Sequence, residues 1–173
     1  QYAIIAAGLG SRLANEGIPT PKPLIPLLGQ PIIDRLINIF LQNQATQIAI
    51  ITNTLNPLTS QHLHQLKQQG LPLQILLQNT PSSMHSLLQL STLLHNQPFI
   101  LTTVDTIFNP SEFSNFVKTF SNANNIDALM GVTSFIDDES PLYVSTNPAT
   151  LQITGFHDSL NDYLSNPPLN SQC

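Results

Sequence analysis

The chain is long enough for one α/β domain with a hydrophobic core, and its composition excludes several classes of protein. Hydrophobic residues make up 41% of the 173 residues, which excludes an intrinsically disordered chain. The formal net charge of −5 argues against broad nucleic-acid binding, and the presence of one cysteine excludes an internal disulfide bond. No stretch has the length of a membrane-spanning helix or the pattern of a signal peptide, so we expect a cytoplasmic protein with no membrane partner.

Positive charge is scarce, and part of it lies in one short stretch near the start of the chain. Charged residues make up 9% of the sequence, compared with about a quarter in typical domains. Two of the five basic residues, Arg12 and Lys22, lie within residues 6–31. This distribution favours a site for a phosphate-bearing ligand in that stretch, because such a ligand needs positive charge.

The stretch begins with a glycine turn that follows a predicted buried strand over Tyr2 to Ile5. Gly8 and Gly10 let a ligand approach the backbone closely, because no Cβ is in the way. The amide groups of such a turn can point at anionic oxygens, and the planar guanidinium group of Arg12 suits phosphate. Lys22 stands between two prolines that stiffen the backbone around it. The sequence therefore predicts a polyphosphate cradle at the carboxyl end of the first strand; the alternative is an ordinary strand-to-helix turn with incidental charges.

Two better-known glycine motifs do not fit this turn. A dinucleotide-binding fingerprint needs a third glycine at the position where Leu13 stands. A P-loop needs a Gly-Lys pair, and the chain contains none.

Strands and helices alternate as far as Phe120, which predicts an α/β fold with helices on both faces of a mostly parallel sheet. Apolar residues at helical spacing predict a helix from near Pro31 to near Asn43. The later predicted elements are, in chain order, a strand over 47–52, a helix from 56 to Gly70, a strand over Leu73 to Leu77, a helix from Ser82 or Ser83, a strand over 98–104 and a helix after Asn109.

Polar residues follow the last two of these strands. Gln78 opens a polar run that reaches Ser82 and Ser83 at the start of a predicted helix, where unpaired amides and the helix dipole favour an anion or a polar ligand. The alternative is a plain serine cap, and His85 is either a ligand contact or a surface residue of the first turn. Asp105 follows the strand over 98–104, and its carboxylate could hold Mg²⁺ together with phosphate oxygens, unless it only caps a turn.

Other polar residues have structural interpretations. Asn109 and Glu112 have the spacing of a capping box, so Glu112 needs no catalytic role. His62 and His64 lie two positions apart on a predicted helix and point to different sides, which favours solvated surface histidines over a metal site. The acidic residues 137–139 precede a Ser-Pro pair and are predicted to form a solvated turn.

The pattern of the first stretch resembles the signature of the sugar-phosphate nucleotidyltransferases, which are the NDP-sugar pyrophosphorylases and their relatives. The matching residues are Ala6-Ala7-Gly8-x-Gly10-x-Arg12, then Pro21-Lys22-Pro23-Leu24, then Pro26-x-x-Gly29-x-Pro31-Ile32. The resemblance is good over roughly the first 110 residues and weaker beyond them. It implies a Rossmann-like three-layer α/β/α nucleotidyltransferase fold. The implied reaction joins a nucleoside monophosphate from a nucleoside triphosphate to a sugar 1-phosphate, giving an NDP-sugar and pyrophosphate.

The resemblance also implies residue roles, a cofactor and partners. Arg12, Lys22 and Asp105 would be catalytic, with Asp105 holding Mg²⁺. The nucleotide would be bound by Ala6, Ala7, Gly8, Leu9, Gly10, Ser11, Arg12, Gln78, Ser82 and Ser83. The expected partners are a nucleoside triphosphate and a sugar 1-phosphate or a similar phosphorylated small molecule, with no nucleic acid; a homo-oligomer is left open.

After Asp127 the sequence pattern changes to short strands separated by turn residues. Strands are predicted over 128–133, 142–145 and 151–156, with no clear helix between them. The resembling family often has a Glu-Lys-Pro motif where this chain has residues 155–158, and the family's second, late metal-binding aspartate has no convincing match.

These features lead to one expectation about domain organisation. Residues 1–173 would form a single nucleotidyltransferase domain that is truncated at its C-terminus. Within it, residues 1–125 would be the nucleotide-binding part and residues 126–173 the start of the sugar-side part.

Three other functions stay open. Choline-phosphate cytidylyltransferases of bacterial type have a segment similar to Met84-His85-Ser86-Leu87. Molybdopterin guanylyltransferases are a further alternative, although their lysine follows the arginine more closely than Lys22 follows Arg12. A catalytically silent regulatory domain that binds a nucleotide sugar would fit the missing late lysine and aspartate.

Overall fold

The computed structural model describes residues 1–10, 13, 15–94, 97–134 and 141–165. The chain divides into two compact units, Gln1–Ala123 and Asn124–Cys173. Within the described ranges, every helix is too short or too polar to cross a membrane.

The first unit contains most of the regular structure. Its strands are β1 (Tyr2–Ala6), β2 (Pro26–Leu27), β3 (Gln30–Pro31), β4 (Ile48–Thr52), β5 (Leu73–Leu77) and β6 (Ile100–Thr103). Its α-helices are α1 (Ile32–Gln42), α2 (Pro57–Gln68), α3 (Ser83–Leu90) and α4 (Pro110–Asn122), with short 3-10 turns at Lys22–Leu24 and Ser91–Leu93. The helix and strand positions predicted for residues 31–77 agree with these bounds to within one or two residues.

The central sheet of this unit has four strands in the order β5-β4-β1-β6. All three pairings are parallel, and β1 runs beside β4 in register from Tyr2 opposite Ile48 to Ala6 opposite Thr52. Parallel strands need crossover connections, which the helices between them provide. The predicted α/β fold with a parallel sheet is therefore confirmed, and the carboxyl ends of all four strands lie at one edge.

Side chains of β1 alternate between two apolar cores because successive residues of a strand point to opposite faces. Tyr2, Ile4 and Ala6 belong to a core that includes Phe40 from α1 and Phe113 from α4. Ala3, Ile5 and Ala7 belong to a second core, which Leu90 and Leu94 cover from the side of α3. The sheet is thus covered by helices on both faces, as the three-layer prediction requires.

Aromatic rings reinforce the first of these cores. The rings of Tyr2 and Phe40 lie 4.7 Å apart between centroids, and those of Phe108 and Phe113 lie 4.6 Å apart. Such contacts add to the free energy gained by burying the rings. Within α4, Phe113 is buried, while Phe116, Val117 and Phe120 are partly exposed.

Asn109 caps α4 as predicted, but the capping box is only half formed. The Asn109 Oδ1 atom accepts hydrogen bonds from the backbone N–H and the hydroxyl group of Ser111, at 2.9 and 2.7 Å. Glu112 makes no side-chain hydrogen bond within the described part of the chain, so the reciprocal contact of the box is missing.

The second unit contains a β-hairpin and a short helix. β7 (Tyr143–Thr146) pairs antiparallel with β8 (Ile153–His157), and α5 (Leu160–Ser165) follows. The strand predicted over 128–133 is wrong: these residues form no strand in the structure, and five of the six are exposed. An apolar run becomes a strand only where a neighbouring strand pairs with it, which the sequence of the run does not specify.

Polar contacts hold this hairpin to its helix. The buried ring of His157 lies between the Ser145 hydroxyl group, 3.2 Å from Nε2, and the Asp162 carboxylate, 3.1 Å from Nδ1. A serine, a histidine and an aspartate in contact can also form a catalytic triad. Here Ser145 is only 4% exposed and cannot reach a substrate, so we interpret the contacts among these three residues as structural. Residues 137–139, predicted to form a solvated turn, lie outside the described residues.

Candidate active site

Four loops meet at the edge of the sheet where the parallel strands end. The loop after β1 contains the glycine turn, and the loops after β4, β5 and β6 begin at Asn53, Gln78 and Val104. Ligands of open α/β sheets bind outside the carboxyl ends of the strands, next to the central strand where the chain order reverses. In the order β5-β4-β1-β6 that place is beside β1, between the glycine turn and the loop that carries Asp105.

The glycine turn is open on one side and close to Lys22 on the other. A Cβ added at Gly8 would meet nothing within 4 Å, so the backbone there is accessible. Gly10 has φ +63°, which favours glycine, and a Cβ at that position would lie 3.6 Å from the Cβ of Lys22. The two halves of the sequence signature, the glycine turn and the Pro-Lys-Pro segment, are therefore neighbours in space.

Prolines and an apolar anchor place Lys22 beside the turn. Pro21 caps the 3-10 turn Lys22–Leu24, and Pro23 inside it is buried. Leu24 packs against the core that contains Phe40. This buried support fixes the backbone of Lys22 and leaves its side chain free to extend along the surface.

The side chain of Lys22 reaches Asp105 at the end of β6. The Nζ atom lies 2.5 Å from Asp105 Oδ2, and both side chains are about half-buried. Burial by itself raises the pKa of Asp105, but hydrogen bonds from Lys22 and Thr103 and the charge of Lys22 outweigh it and lower the pKa below its usual value. Asp105 is therefore ionised at neutral pH and forms an ion pair with Lys22. An ionised carboxylate is also the form that binds a metal ion.

Asp105 carries a carboxylate that could hold a hard cation shared with phosphates. Among the described residues, no group of three or more histidine, cysteine, aspartate or glutamate side chains could enclose a metal ion. Mg²⁺ is commonly held by one or two carboxylates together with substrate phosphates and water, so one carboxylate at this edge is a sufficient protein ligand. Asp105 is the residue that would hold it.

The segment from Gln78 to Ser83 lies at the same edge of the sheet. The Gln78 N–H donates to Thr52 O at 2.9 Å and extends the pairing of β4 with β5. Ser82 caps α3: its hydroxyl group accepts from the His85 N–H at 3.4 Å and lies 2.8 Å from His85 Nδ1. Ser83 is exposed. The serine cap that the sequence left as an alternative forms, and the His85 ring folds back onto it.

Two predicted site residues, Ser11 and Arg12, lie outside the described residues. Ala6 and Ala7 are buried at the end of β1, with 2% and 7% of their surface exposed, so only their backbone is available to a ligand. Leu9 is exposed at the turn.

The two histidines of α2 differ in their surroundings. His62, expected to be solvated, is instead partly buried, with its Nε2 atom 2.6 Å from Asp34 Oδ1. His64 is exposed.

Asn53 is a residue of this edge that the sequence did not single out. It follows β4, is 1% exposed, and its Nδ2 atom donates to the carbonyl oxygens of Ala7 and Gly8 at 3.1 and 3.2 Å. Its Oδ1 atom accepts from the N–H groups of Leu55 and Asn56, both at 3.0 Å. The sequence did offer one signal for this residue, an asparagine directly after a run of apolar residues. The two carbonyl groups that it binds belong to residues 46 and 45 positions away, so a local pattern could not identify them.

Fold and site together define a doubly wound α/β protein whose candidate ligand site contains a glycine turn, a lysine and an aspartate. A family model described as nucleotidyl transferase matches residues 2–157, and the chain belongs to this family. The resemblance stated from the sequence is therefore confirmed. None of the curated proteins matches the chain.

Solved structures show the same fold. A protein from Bacillus anthracis with the provisional name glucose-1-phosphate thymidylyltransferase, in complex with sucrose, is 19% identical with a TM-score of 0.67, over 91% of this chain and 63% of its own. A UDP-glucose pyrophosphorylase in complex with UDP-glucose is 18% identical with a TM-score of 0.56, over 70% of this chain and 53% of its own. A CTP:phosphocholine cytidylyltransferase from Streptococcus pneumoniae is 23% identical with a TM-score of 0.50, over 64% of this chain and 49% of its own. The chain thus spans between about half and two thirds of the length of these proteins.

Proposed function

We propose that this protein transfers a nucleoside monophosphate from a nucleoside triphosphate to a sugar 1-phosphate, giving an NDP-sugar and pyrophosphate. The observation that carries the proposal is the Lys22–Asp105 ion pair beside the glycine turn, at the carboxyl edge of the sheet. Membership of the nucleotidyl transferase family supports the general reaction. Two of the structural neighbours, named for glucose-1-phosphate and UDP-glucose, support a sugar 1-phosphate as acceptor.

The proposed reaction is an in-line transfer at the α-phosphorus. An oxygen of the acceptor phosphate forms the new bond to that phosphorus, and the bond to the bridging oxygen breaks, so that pyrophosphate leaves with the electron pair. Phosphoryl-type transfers need positioning and neutralisation of charge more than covalent help from the protein. This requirement matches a site that contains backbone amides, cations and one carboxylate.

Each residue then has a role that its chemistry allows. The backbone of Gly8 and Gly10 would face the triphosphate, and Arg12 would hold the leaving pyrophosphate. Lys22 would neutralise the α-phosphate or the attacking phosphate. Mg²⁺, when bound, would neutralise phosphate charge, and Asp105 would be its ligand.

The ion pair in the structure has a consequence for this mechanism. Lys22 and Asp105 neutralise each other, with side-chain exposures of 36% and 46%. For Lys22 to meet phosphate, its ammonium group must leave Asp105, and the partial exposure of both groups keeps the cost of separating them low. We therefore infer that Lys22 moves from Asp105 to phosphate when the substrates bind.

A phosphocholine acceptor is the second candidate. It is favoured by the structural likeness to the Streptococcus pneumoniae cytidylyltransferase, which is 23% identical. In this chain the segment Met84 to Leu87 lies at the start of α3, beside an open apolar cavity of about 450 Å³ that Met84, Leu88 and Phe99 help to line.

The decisive experiment is a substrate panel. The protein is incubated with Mg²⁺, one of ATP, CTP, GTP, UTP or dTTP, and either a sugar 1-phosphate or phosphocholine, and pyrophosphate release is measured. We expect release with one triphosphate and a sugar 1-phosphate. Release with phosphocholine only would favour the second candidate, and tight binding of an NDP-sugar without turnover would favour a silent regulatory domain. The cytoplasmic location expected from the sequence stays part of this proposal.

A further inference from the structure

Both polar atoms of the Asn53 side chain, at the candidate site, make two hydrogen bonds each. All four of its hydrogen bonds are to backbone groups: Nδ2 donates two to the glycine turn, and Oδ1 accepts two from residues of its own loop, after β4. Only this orientation of the amide works, because the reverse would face Oδ1 to two carbonyl oxygens and Nδ2 to two N–H groups. Asn53 is also 1% exposed, so it can act on a ligand only through the backbone it holds.

The bonds to Ala7 O and Gly8 O determine where the following N–H groups point. The chain has no cis peptide bond in its described part, and in a trans peptide the C=O and the N–H of the next residue point in opposite directions. Since both carbonyl groups are turned toward Asn53, the N–H groups of Gly8 and Leu9 are turned away from it. In the described part of the chain neither of these N–H groups donates a hydrogen bond.

The turn is open around Gly8, so a ligand can reach its backbone. A Cβ built at Gly8 meets nothing within 4 Å, and the residue itself is exposed. Two successive N–H groups held in one direction form a small anion-binding concavity. Holding them there before the ligand arrives lowers the entropic cost of binding, because the turn does not have to be ordered at that moment.

We propose that Asn53 is the positioning residue of the site, holding two consecutive carbonyl groups of the glycine turn so that the Gly8 and Leu9 amides are directed at a phosphate group. The inference rests on the proposed function, because it takes a polyphosphate as the ligand of the turn. It assigns a role in binding to a residue that does not itself touch the ligand.

The test compares Asn53→Asp with Asn43→Asp. Asn53→Asp keeps the acceptor for Leu55 and Asn56 but turns a carboxylate oxygen toward the two carbonyl oxygens, which repels them. Asn43 is the control: its Nδ2 atom donates to Ile39 O at 2.8 Å at the end of α1, and its own carbonyl group accepts from Tyr2, which opens β1 at the opposite edge of the sheet. Asn53→Ala is a second variant that removes both pairs of bonds without adding charge.

The probe is inorganic tripolyphosphate with Mg²⁺, which is independent of the base and the acceptor. Its binding is measured by calorimetry and by the ¹⁵N–¹H signals of Gly8 and Leu9, with the melting temperature of each variant recorded. In the native protein we expect both signals to shift on binding. In both Asn53 variants we expect the affinity to fall by about tenfold or more, which is the size of effect that loss of a buried hydrogen bond produces. We also expect the signals of Gly8 and Leu9 to shift no longer when tripolyphosphate is added. In Asn43→Asp we expect a lower melting temperature with unchanged affinity.

The outcomes separate the inference from the proposed function. If the native protein binds tripolyphosphate at this turn and the Asn53 variants, still folded, bind it equally well, the positioning role is wrong and the proposed function stands. If the native protein does not bind tripolyphosphate, or the Gly8 and Leu9 signals do not move, the polyphosphate site is wrong and the inference with it. If the affinity of every variant falls only in proportion to its melting temperature, Asn53 has a merely structural role.

Discussion

The ammonium group of Lys22 lies 2.5 Å from the carboxylate of Asp105, although the two residues are 83 positions apart in the chain. The pair joins the segment after the glycine turn to the loop that follows β6, at the carboxyl edge of the sheet. The two charges that the proposed chemistry needs are therefore in one place, and each is neutralised by the other.

Lys22→Met should lower turnover by about two to three orders of magnitude, as removal of other preorganised charges does. Methionine keeps the length and apolar character of the stem while deleting the charge. The melting temperature should change little, because a half-exposed ion pair contributes about 0–1 kcal/mol. Lys118→Met, on the exposed side of α4, is the matched control and should keep native turnover. Unchanged turnover in Lys22→Met would remove the catalytic assignment.

Arg12→Ala should weaken nucleoside triphosphate binding more than Arg35→Ala. A charge-assisted hydrogen bond to phosphate is worth about 1.5–3 kcal/mol. Arg35 has a structural partner instead, since its Nη2 atom donates to Phe108 O at 2.8 Å, so its loss should lower the melting temperature more than the affinity. Titration calorimetry on both variants measures the difference, and equal losses of affinity would count against the cradle.

Asp105→Asn should weaken the binding of Mn²⁺, used as a paramagnetic substitute for Mg²⁺, in the presence of a nucleoside triphosphate. The amide has the shape of the carboxylate but lacks its charge, so the fold should be kept while the metal-dependent turnover is largely lost. Asp34→Asn is the control, because Asp34 is already paired with His62. Native Mn²⁺ affinity and native turnover in Asp105→Asn would show that Asp105 only stabilises the loop.

The stability contributed by Asp105 should depend on pH in a defined direction. Its pKa in the folded protein is lower than the usual 3.8, so the unfolded chain takes up the proton first as the pH falls. The contribution is complete above that usual value and is lost as the pH falls through the folded pKa. The difference in melting temperature between the native protein and Asp105→Asn should therefore be constant from pH 5 to pH 7 and shrink below pH 3.8. If the difference in melting temperature grows on acidification, the pKa of Asp105 is not lowered in the folded protein.

Much of the first unit could be predicted from the sequence because its signals are local. Buried parallel strands are continuous apolar runs, and the strand predicted over 47–52 is observed as the fully buried strand Ile48–Thr52. Helix starts follow from caps and prolines, as at Asn56 and Asn109. The glycine turn and Pro-Lys-Pro segment could be recognised for the same reason: their chemistry lies in residues that are close together in the chain.

What the sequence determined by itself is thus the alternation of strands and helices that builds the central sheet, the family signature and the chemical types of the candidate residues. Only the tertiary structure decided that Lys22 pairs with Asp105, that Asn53 holds the glycine turn, and that residues 128–133 form no strand. The physical reason is that these outcomes depend on contacts between distant parts of the chain. Hydrogen-bond partners and strand neighbours are selected when the sheet assembles, and no local pattern of residues specifies them.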